Sequence, residues 1–265
     1  MRVVHSFNSE YCSKEKFQIY MYYFALSCIY AKKSGFEVAL HCDANTEAVL
    51  RNASYDEIIT DIPHIDESLK QFFAAPKFIA MKNEPLGSIH IDGDVFLKKP
   101  NLVDLMNFDN YDCIVQSLEI PNGHWGYGWV TAQTIFEHCE YPKWAQRDCK
   151  KMYNCGIVGF NDKDLKDEYF KTYWKMLNSF NINGIKGIKG IPDLVVEQQF
   201  LKDLTSFNNN SVKILLEDID NLRNKATEIG YQHVIGNNKD TNLDTVKLLI
   251  QHYDSEIYNK INYLL

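Results

Sequence analysis

Four short segments carry side chains that could do chemistry together. Ile89-His90-Ile91-Asp92-Gly93-Asp94-Val95-Phe96 sets two carboxylates two positions apart at the end of an apolar run. Two acidic groups with a small residue between them can approach one divalent cation. Hard oxygen ligands suit Mg²⁺ or Mn²⁺, which keep open positions for a substrate's phosphates. Taken alone, the pair also reads as a turn, since Asp-Gly is common in hairpins. Tyr153-Asn154-Cys155-Gly156-Ile157-Val158-Gly159-Phe160 places two glycines in a strand-like run, a sign that a ligand or another backbone comes close. Asn154 can donate and accept hydrogen bonds, as a sugar hydroxyl requires, while a bulged core strand is the plainer account. Glu197-Gln198-Gln199 interrupts an apolar stretch. These residues form either the solvent face of an amphipathic helix or a carboxylate and an amide aimed at a substrate. His233-Val234-Ile235-Gly236-Asn237-Asn238-Lys239 offers an imidazole as a third ligand, which tilts the choice of metal toward Mn²⁺. Gly236 lets the chain turn, and Lys239 can meet a phosphate as a point charge.

The surrounding chain must deliver these groups to one place. Residues 1–7 read as a first strand, and residues 14–33 as a long helix closed by Ser34-Gly35, with Gly35 as its cap. A strand over 36–41, a helix over 46–53 and a short strand over 55–61 follow. This β-α-β-α-β order predicts a mostly parallel sheet with crossover helices. A helix over 67–82 is broken by Pro85-Leu86-Gly87, and a strand over 88–91 runs into Asp92. Strands over 111–117, 153–160 and 212–216, helices over 163–180 and from Pro192 or Asp193 to 204, and a helix from Leu243 complete the pattern. The fold class expected is α/β, one Rossmann-type mixed, mostly parallel sheet flanked by helices. In such sheets ligands bind outside the carboxyl ends of the strands, which is where Asp92 and Asp94 fall.

Composition narrows the function. The chain has 265 residues and 45% hydrophobic content, enough for a sizeable core. A net charge of −7 argues against a broad nucleic-acid binder. Seven cysteines without a CxxC pair argue against a disulfide framework or structural zinc and for reduced thiols. No apolar signal core opens the chain, and no run of about 18 apolar residues predicts a membrane span. The tyrosine-rich stretch 17–31 reads as a buried or half-buried helix, with a membrane-surface helix second. A cytoplasmic protein is expected, with peripheral contact at the inner face of the membrane left open, as is the oligomeric state.

In their order (Asp-x-Asp, Asn-x-Gly, Glu-Gln, His-x-x-Gly-x-x-Lys) the segments resemble those of the GT-A-fold glycosyltransferases that use nucleotide-sugar donors. The likeness is greatest to the family-eight-type enzymes and the small bacterial capsule and lipopolysaccharide transferases. It runs from the Val3-Val4-His5-Ser6 strand to Lys239. It implies one GT-A-like domain over 1–265. Residues 1–117 form its nucleotide-binding half, 118–240 the acceptor side and closing metal and phosphate segment, and 241–265 a terminal helix. Asp92, Asp94 and His233 would hold Mn²⁺, with Mg²⁺ the alternative. His5, Ser6, Lys77, Asp92, Asn154, Gly156, Gly236 and Lys239 would meet the donor, and Glu197 and Gln198 would sit at the reacting sugar. Four departures are visible: Glu197 stands where relatives often carry Asp, Gln199 where many carry a second Asp, Asp240-Thr241 follows Lys239 in place of Pro-Trp, and residues 241–265 mix acidic with basic residues in place of a basic membrane-binding tail.

The activity implied is transfer of a sugar from a nucleotide-sugar, a UDP-sugar in the first instance, to a glycan or other hydroxyl acceptor. Retention of configuration is expected from the resemblance, in surface polysaccharide or glycoconjugate synthesis. The aromatic loop 123–129 would offer acceptor stacking or simply pack, and the loop 183–190 would close over the donor or simply be solvated. A sugar-phosphate nucleotidyltransferase is the enzymatic rival, but the loop His5-Ser6-Phe7-Asn8-Ser9-Glu10 has no glycine. A catalytically inactive carbohydrate- or nucleotide-sugar-binding protein on the same fold is the other alternative. It would be expected to break the Asp92, Asp94, His233 set, which is intact.

Overall fold

A computed structural model of the chain describes residues 1–64, 66, 70, 72–100, 102–119, 135–146, 151–181, 191–217, 222–234 and 238–264. The loops 123–129 and 183–190, together with Gly236, lie outside the described residues.

The chain opens with β1 (Arg2–Phe7), α1 (Lys14–Lys33), β2 (Glu37–Cys42), α2 (Ala44–Leu50) and β3 (Glu57–Ile59). Helix α1 starts where the Ser13 side chain accepts from Lys16 N and ends at Gly35, whose φ of +89° suits glycine. Its residues Met21 to Ala31 are buried on every side, so the tyrosine-rich run is an interior helix rather than a membrane-surface one. Then come α3 (Ala75–Asn83), β4 (Ile89–Ile91), β5 (Val95–Leu97), α4 (Leu102–Met106), β6 (Cys113–Glu119), β7 (Met152–Phe160) and α5 (Lys163–Ser179). A continuous helix, α6, covers 191–208. It is α-helical over Ile191–Asp193, π-helical over Leu194–Gln199 and α-helical again over Phe200–Asn208. β8 (Val212–Leu216), α7 (Leu222–Ile229), β9 (Tyr231–His233), α8 (Asn238–Tyr253) and α9 (Ser255–Leu264) finish the chain.

The main sheet has seven strands in the order β3-β2-β1-β4-β7-β6-β8. All neighbours are parallel except β4–β7 and β6–β7, so β7 alone runs against the rest. This is the mixed, mostly parallel α/β sheet expected. One face packs α3, α5 and α6 around Phe78, Tyr173, Phe160 and Phe200. The other packs α1 beneath α8 and α9, where Leu40 and Phe96 meet Val246, Ile250, Ile257 and Ile261.

Several boundaries differ from the sequence reading. The helix expected over 67–82 begins only at Ala75, because Pro76 occupies its first turn and Pro is favoured there. The C-terminal helix begins at Asn238 and is followed by a second helix after Asp254. A second sheet pairs β5 with β9 antiparallel, and neither α4, α7 nor β9 was expected.

Candidate functional site

The paired aspartates sit on a tight turn between β4 and β5. Val95 N donates to Asp92 O at 2.9 Å, and a Cβ on Gly93 would collide with the ring of Phe24 in α1. Asp92 is left with its side chain 35% exposed, while that of Asp94 is 9% exposed. Strand β9 brings in the third group. Its pairing sets His233 opposite Val95, and Val234 N donates to Asp94 O at 3.0 Å. His233 Nε2 therefore lies 3.4 Å from Asp94 Oδ1. One ligand atom from each of Asp92, Asp94 and His233 falls within 4.8 Å of the others. Among the described residues no other set of three such side chains converges in this way.

This corner fits a divalent cation on three counts. The donor set, two carboxylates and an imidazole, suits Mn²⁺, and Mg²⁺ through the carboxylates. The Nδ1 of His233 is buried with no hydrogen-bond partner among the described residues, an orphan that needs a reason. Gly156, beside Asp92 across the β4–β7 ladder, leaves the imidazole room: a Cβ there would lie 2.6 Å from His233 Cε1. Burial would raise the Asp94 pKa, but His233 and Lys239 override it and hold the carboxyl well below its ordinary value. Burial would likewise lower His233, and the Asp94 carboxylate raises it instead.

Two lysines serve the aspartates. Lys239 Nζ lies 2.7 Å from Asp94 Oδ2. Lys77 Nζ lies 2.7 Å from Glu197 Oε1, 2.9 Å from Cys155 O and 3.0 Å from Asp92 Oδ1. The contacts with Glu197 and the Cys155 carbonyl are hydrogen bonds, and the one with Asp92 is an ion pair. Burial opposes the charge on Lys77, yet Asp92 and Glu197 raise its pKa above the ordinary value. The geometry thus makes Lys77 a tie between a candidate metal ligand and Glu197.

Glu197 is 2% exposed, and burial raises its pKa while Lys77 pulls it back. The widened π-helical turn carries it together with Gln198, whose Oε1 is buried without a partner among the described residues. π-turns occur frequently at functional sites. Asn154 Nδ2 donates to Glu119 Oε1 at 2.5 Å, and its Oδ1 accepts from Gly156 N at 2.8 Å. Ser6 Oγ meets His90 Nε2 at 2.8 Å, and His90 Nδ1 faces Asp92 Oδ1 at 3.7 Å, so Ser6 supports the site from behind. The His5 ring is not brought to the site. It is fully buried against α1, bonded to Tyr55 at 2.8 Å and Ser27 at 3.0 Å, and burial lowers its pKa to about 3.

Sequence reasoning missed His90 and Asp193. His90 is one residue from Asp92 in an otherwise apolar strand, a pattern that marks a buried polar group with a local task. Asp193 is fully buried, and its Oδ2 accepts from Ala74 N at 3.2 Å, capping the helix that carries Lys77. Nothing in the sequence signals that pairing, which spans 119 positions.

Residues 1–264 match a protein family described as a family of unknown function, DUF6734. The chain belongs to that family. No curated protein matches this DUF6734 chain. Among solved structures it is similar to the glycosyltransferase GlyE of Streptococcus pneumoniae TIGR4, with 13% identity and a TM-score of 0.46 over 99% of this chain and 63% of that one. It is also similar to the galactosyltransferase LgtC in complex with donor and acceptor sugar analogs, with 11% identity and a TM-score of 0.39 over 81% of this chain and 73% of that one. A third similar structure is the inositol-1-phosphate CTP transferase of T. maritima, with 9% identity and a TM-score of 0.40 over 99% of this chain and 95% of that one. The DUF6734 chain thus spans 63% of the length of GlyE. TM-scores this low assign no activity. Among the described residues no helix is long and apolar enough to cross a membrane.

Proposed function

We propose that this DUF6734 chain is a metal-dependent glycosyltransferase. It moves a sugar from a nucleotide-sugar donor, a UDP-sugar in the first instance, to a hydroxyl of a glycan or similar acceptor in polysaccharide or glycoconjugate synthesis. One observation carries the reading: Asp92, Asp94 and His233 converge at the carboxyl end of β4 with Lys239 beside them. Carboxyl ends of strands are where open α/β sheets bind ligands.

Asp92, Asp94 and His233 would hold Mn²⁺ or Mg²⁺, whose chemistry when bound is to neutralise charge building on a departing nucleoside diphosphate. Lys239 adds a positive charge for the same diphosphate. The Gln198 oxygen, unpartnered among the described residues, would be an acceptor for a sugar hydroxyl. Glu197, tied to Lys77, supplies a fixed negative charge near a sugar that becomes oxocarbenium-like as its bond to the diphosphate breaks. The configuration at the sugar is retained in this reading, as in the enzymes the sequence resembles.

The test is donor turnover. The protein is incubated with UDP- and GDP-sugars in Mn²⁺, in Mg²⁺ and in chelator, and released nucleoside diphosphate is measured. Release from one donor is expected in Mn²⁺, falling about 10²–10³-fold in Asp94→Asn, the scale of losing one preorganised charge-stabilising group. Release that survives chelator, or that Asp94→Asn leaves intact, contradicts the proposal.

A further inference from the structure

The two lysines at the aspartate pair are not equivalent. Lys77 is locked by hydrogen bonds to Glu197 and the Cys155 carbonyl, with Asp92 3.0 Å away as a further ion-pair partner. Lys239 has Asp94 as its one ion-pair partner among the described residues. Its backbone is pinned, because the Tyr23 hydroxyl of α1 donates to Lys239 O at 2.9 Å. Its four-carbon stem has rotatable bonds, so the ammonium can be re-aimed about that pin. The ring of Tyr20 lies 5.0 Å from Nζ, an aromatic face along which the ammonium stays stabilised as it moves.

Asp94 is already engaged by a cationic group. Oδ2 is held by Lys239 at 2.7 Å and Oδ1 faces His233 at 3.4 Å, in a side chain that is 9% exposed. A divalent cation shared by Asp94 and His233 competes with the ammonium for the same carboxylate charge and is repelled by it at close range. Expelling a mostly buried ammonium from its carboxylate is costly when no other anion receives it. A diphosphate arriving with the cation is such an anion.

On the reading of Asp92, Asp94 and His233 as a metal centre, we propose that Lys239 is a latch on Asp94 that makes cation and diphosphate binding mutually dependent. Lys239 hands Asp94 to the cation and turns to the diphosphate in one exchange of partners. A cation alone is resisted, so the centre loads as a cation–nucleotide unit. By linkage, each ligand strengthens the other by the same factor.

The test measures binding rather than turnover. Mn²⁺ is titrated into the full chain with and without UDP, and the signal of free Mn²⁺ is read by electron paramagnetic resonance. In the wild type UDP is expected to tighten Mn²⁺ by at least about fivefold, the low end of ordinary linkage between two ligands. Lys239→Met is expected to tighten Mn²⁺ alone by a similar factor and to shrink the gain from UDP. Lys239→Gln, which keeps a donor without the charge, does the same and serves if the Met variant does not fold. Mn²⁺ affinity that is unchanged or weaker in these variants overturns the latch. So does a tightening that leaves the gain from UDP intact, since that reflects only a nearby charge. A wild type that takes up no Mn²⁺ even with UDP, or an Asp94→Asn variant that binds as the wild type does, overturns the metal-centre reading itself.

Discussion

Lys77 shows how much of a side chain's setting comes from outside its own segment. Its sequence position, just ahead of the Asp-x-Asp strand, suggested a hand on the donor. In the fold it binds Glu197, Asp92 and the Cys155 carbonyl, three groups from three distant segments. Removing the ammonium leaves the buried Glu197 carboxylate uncompensated, so Lys77→Met is expected to cost about 3–5 kcal/mol in urea unfolding. Pairing it with Glu197→Gln removes the uncompensated charge. The double variant should then be more stable than the sum of the singles predicts, by about 1–3 kcal/mol. Additive losses would mean the two residues do not act as a pair. Asp92 and Asp94 were legible because their chemistry is carried by residue type and spacing within one strand end. His233 could be joined to them in the sequence only through the order of motifs, and Lys77's acceptors not at all, since no local pattern encodes a contact spanning 120 positions. The alternation of a strand separates His5 from Ser6: one faces the α1 core, the other reaches His90.

At the scale of elements, the starts of β1, β2 and β3 are stapled to the end of α3 by a charged cluster. Arg2 pairs with Glu37, Glu57 and Glu84, and His41 lies between Asp61 and Glu84 at 2.9 Å from each. Burial would raise Glu84, but hydrogen bonds from His41 and Arg2 win and bring it from 4.5 to about 2. Its contribution to stability is therefore complete above pH 4.5 and lost as pH falls toward about 2. Burial would lower His41, but Glu84 and Asp61 raise it above 6.5. Its contribution is complete below pH 6.5 and fades as pH climbs through the raised value. The cluster is strongest between those limits. Glu84→Gln should lose about 1.5–3 kcal/mol there, the scale of a hydrogen bond to a charged group. It should also flatten the fall of melting temperature on the acid side. Thermal melts from about pH 3 to 8 check this, and parallel profiles for the two proteins would contradict it. The long helices and apolar strands were readable from periodicity and caps. Strand β9, Tyr-Gln-His, was not, because three residues with one buried side chain have no pattern apart from the partner strand β5.

Across the whole molecule, the site is a meeting of distant chain segments. The turn between β4 and β5 supplies Asp92 and Asp94, β7 supplies Gly156, α3 and α6 supply the Lys77–Glu197 tie, and β9 with α8 supplies His233 and Lys239. The mixed sheet was predictable from the β-α-β-α-β opening, whereas the placement of β7 against its neighbours rests on pairing that the pattern of one strand does not specify. The C-terminal helices cover α1, which accounts for an interior helix rich in tyrosine: Tyr22 and Tyr23 reach Asn262 and the Lys239 carbonyl. The account stands on the join between the Asp92–Asp94 turn and His233. Calorimetric titration of UDP, in Mn²⁺ and in chelator, into the wild type and His233→Ala tests it most directly. UDP should bind in Mn²⁺ and not in chelator, and His233→Ala should weaken that binding by at least about tenfold, as losses around metal sites do. UDP binding that ignores Mn²⁺, or that His233→Ala leaves unchanged, would contradict it.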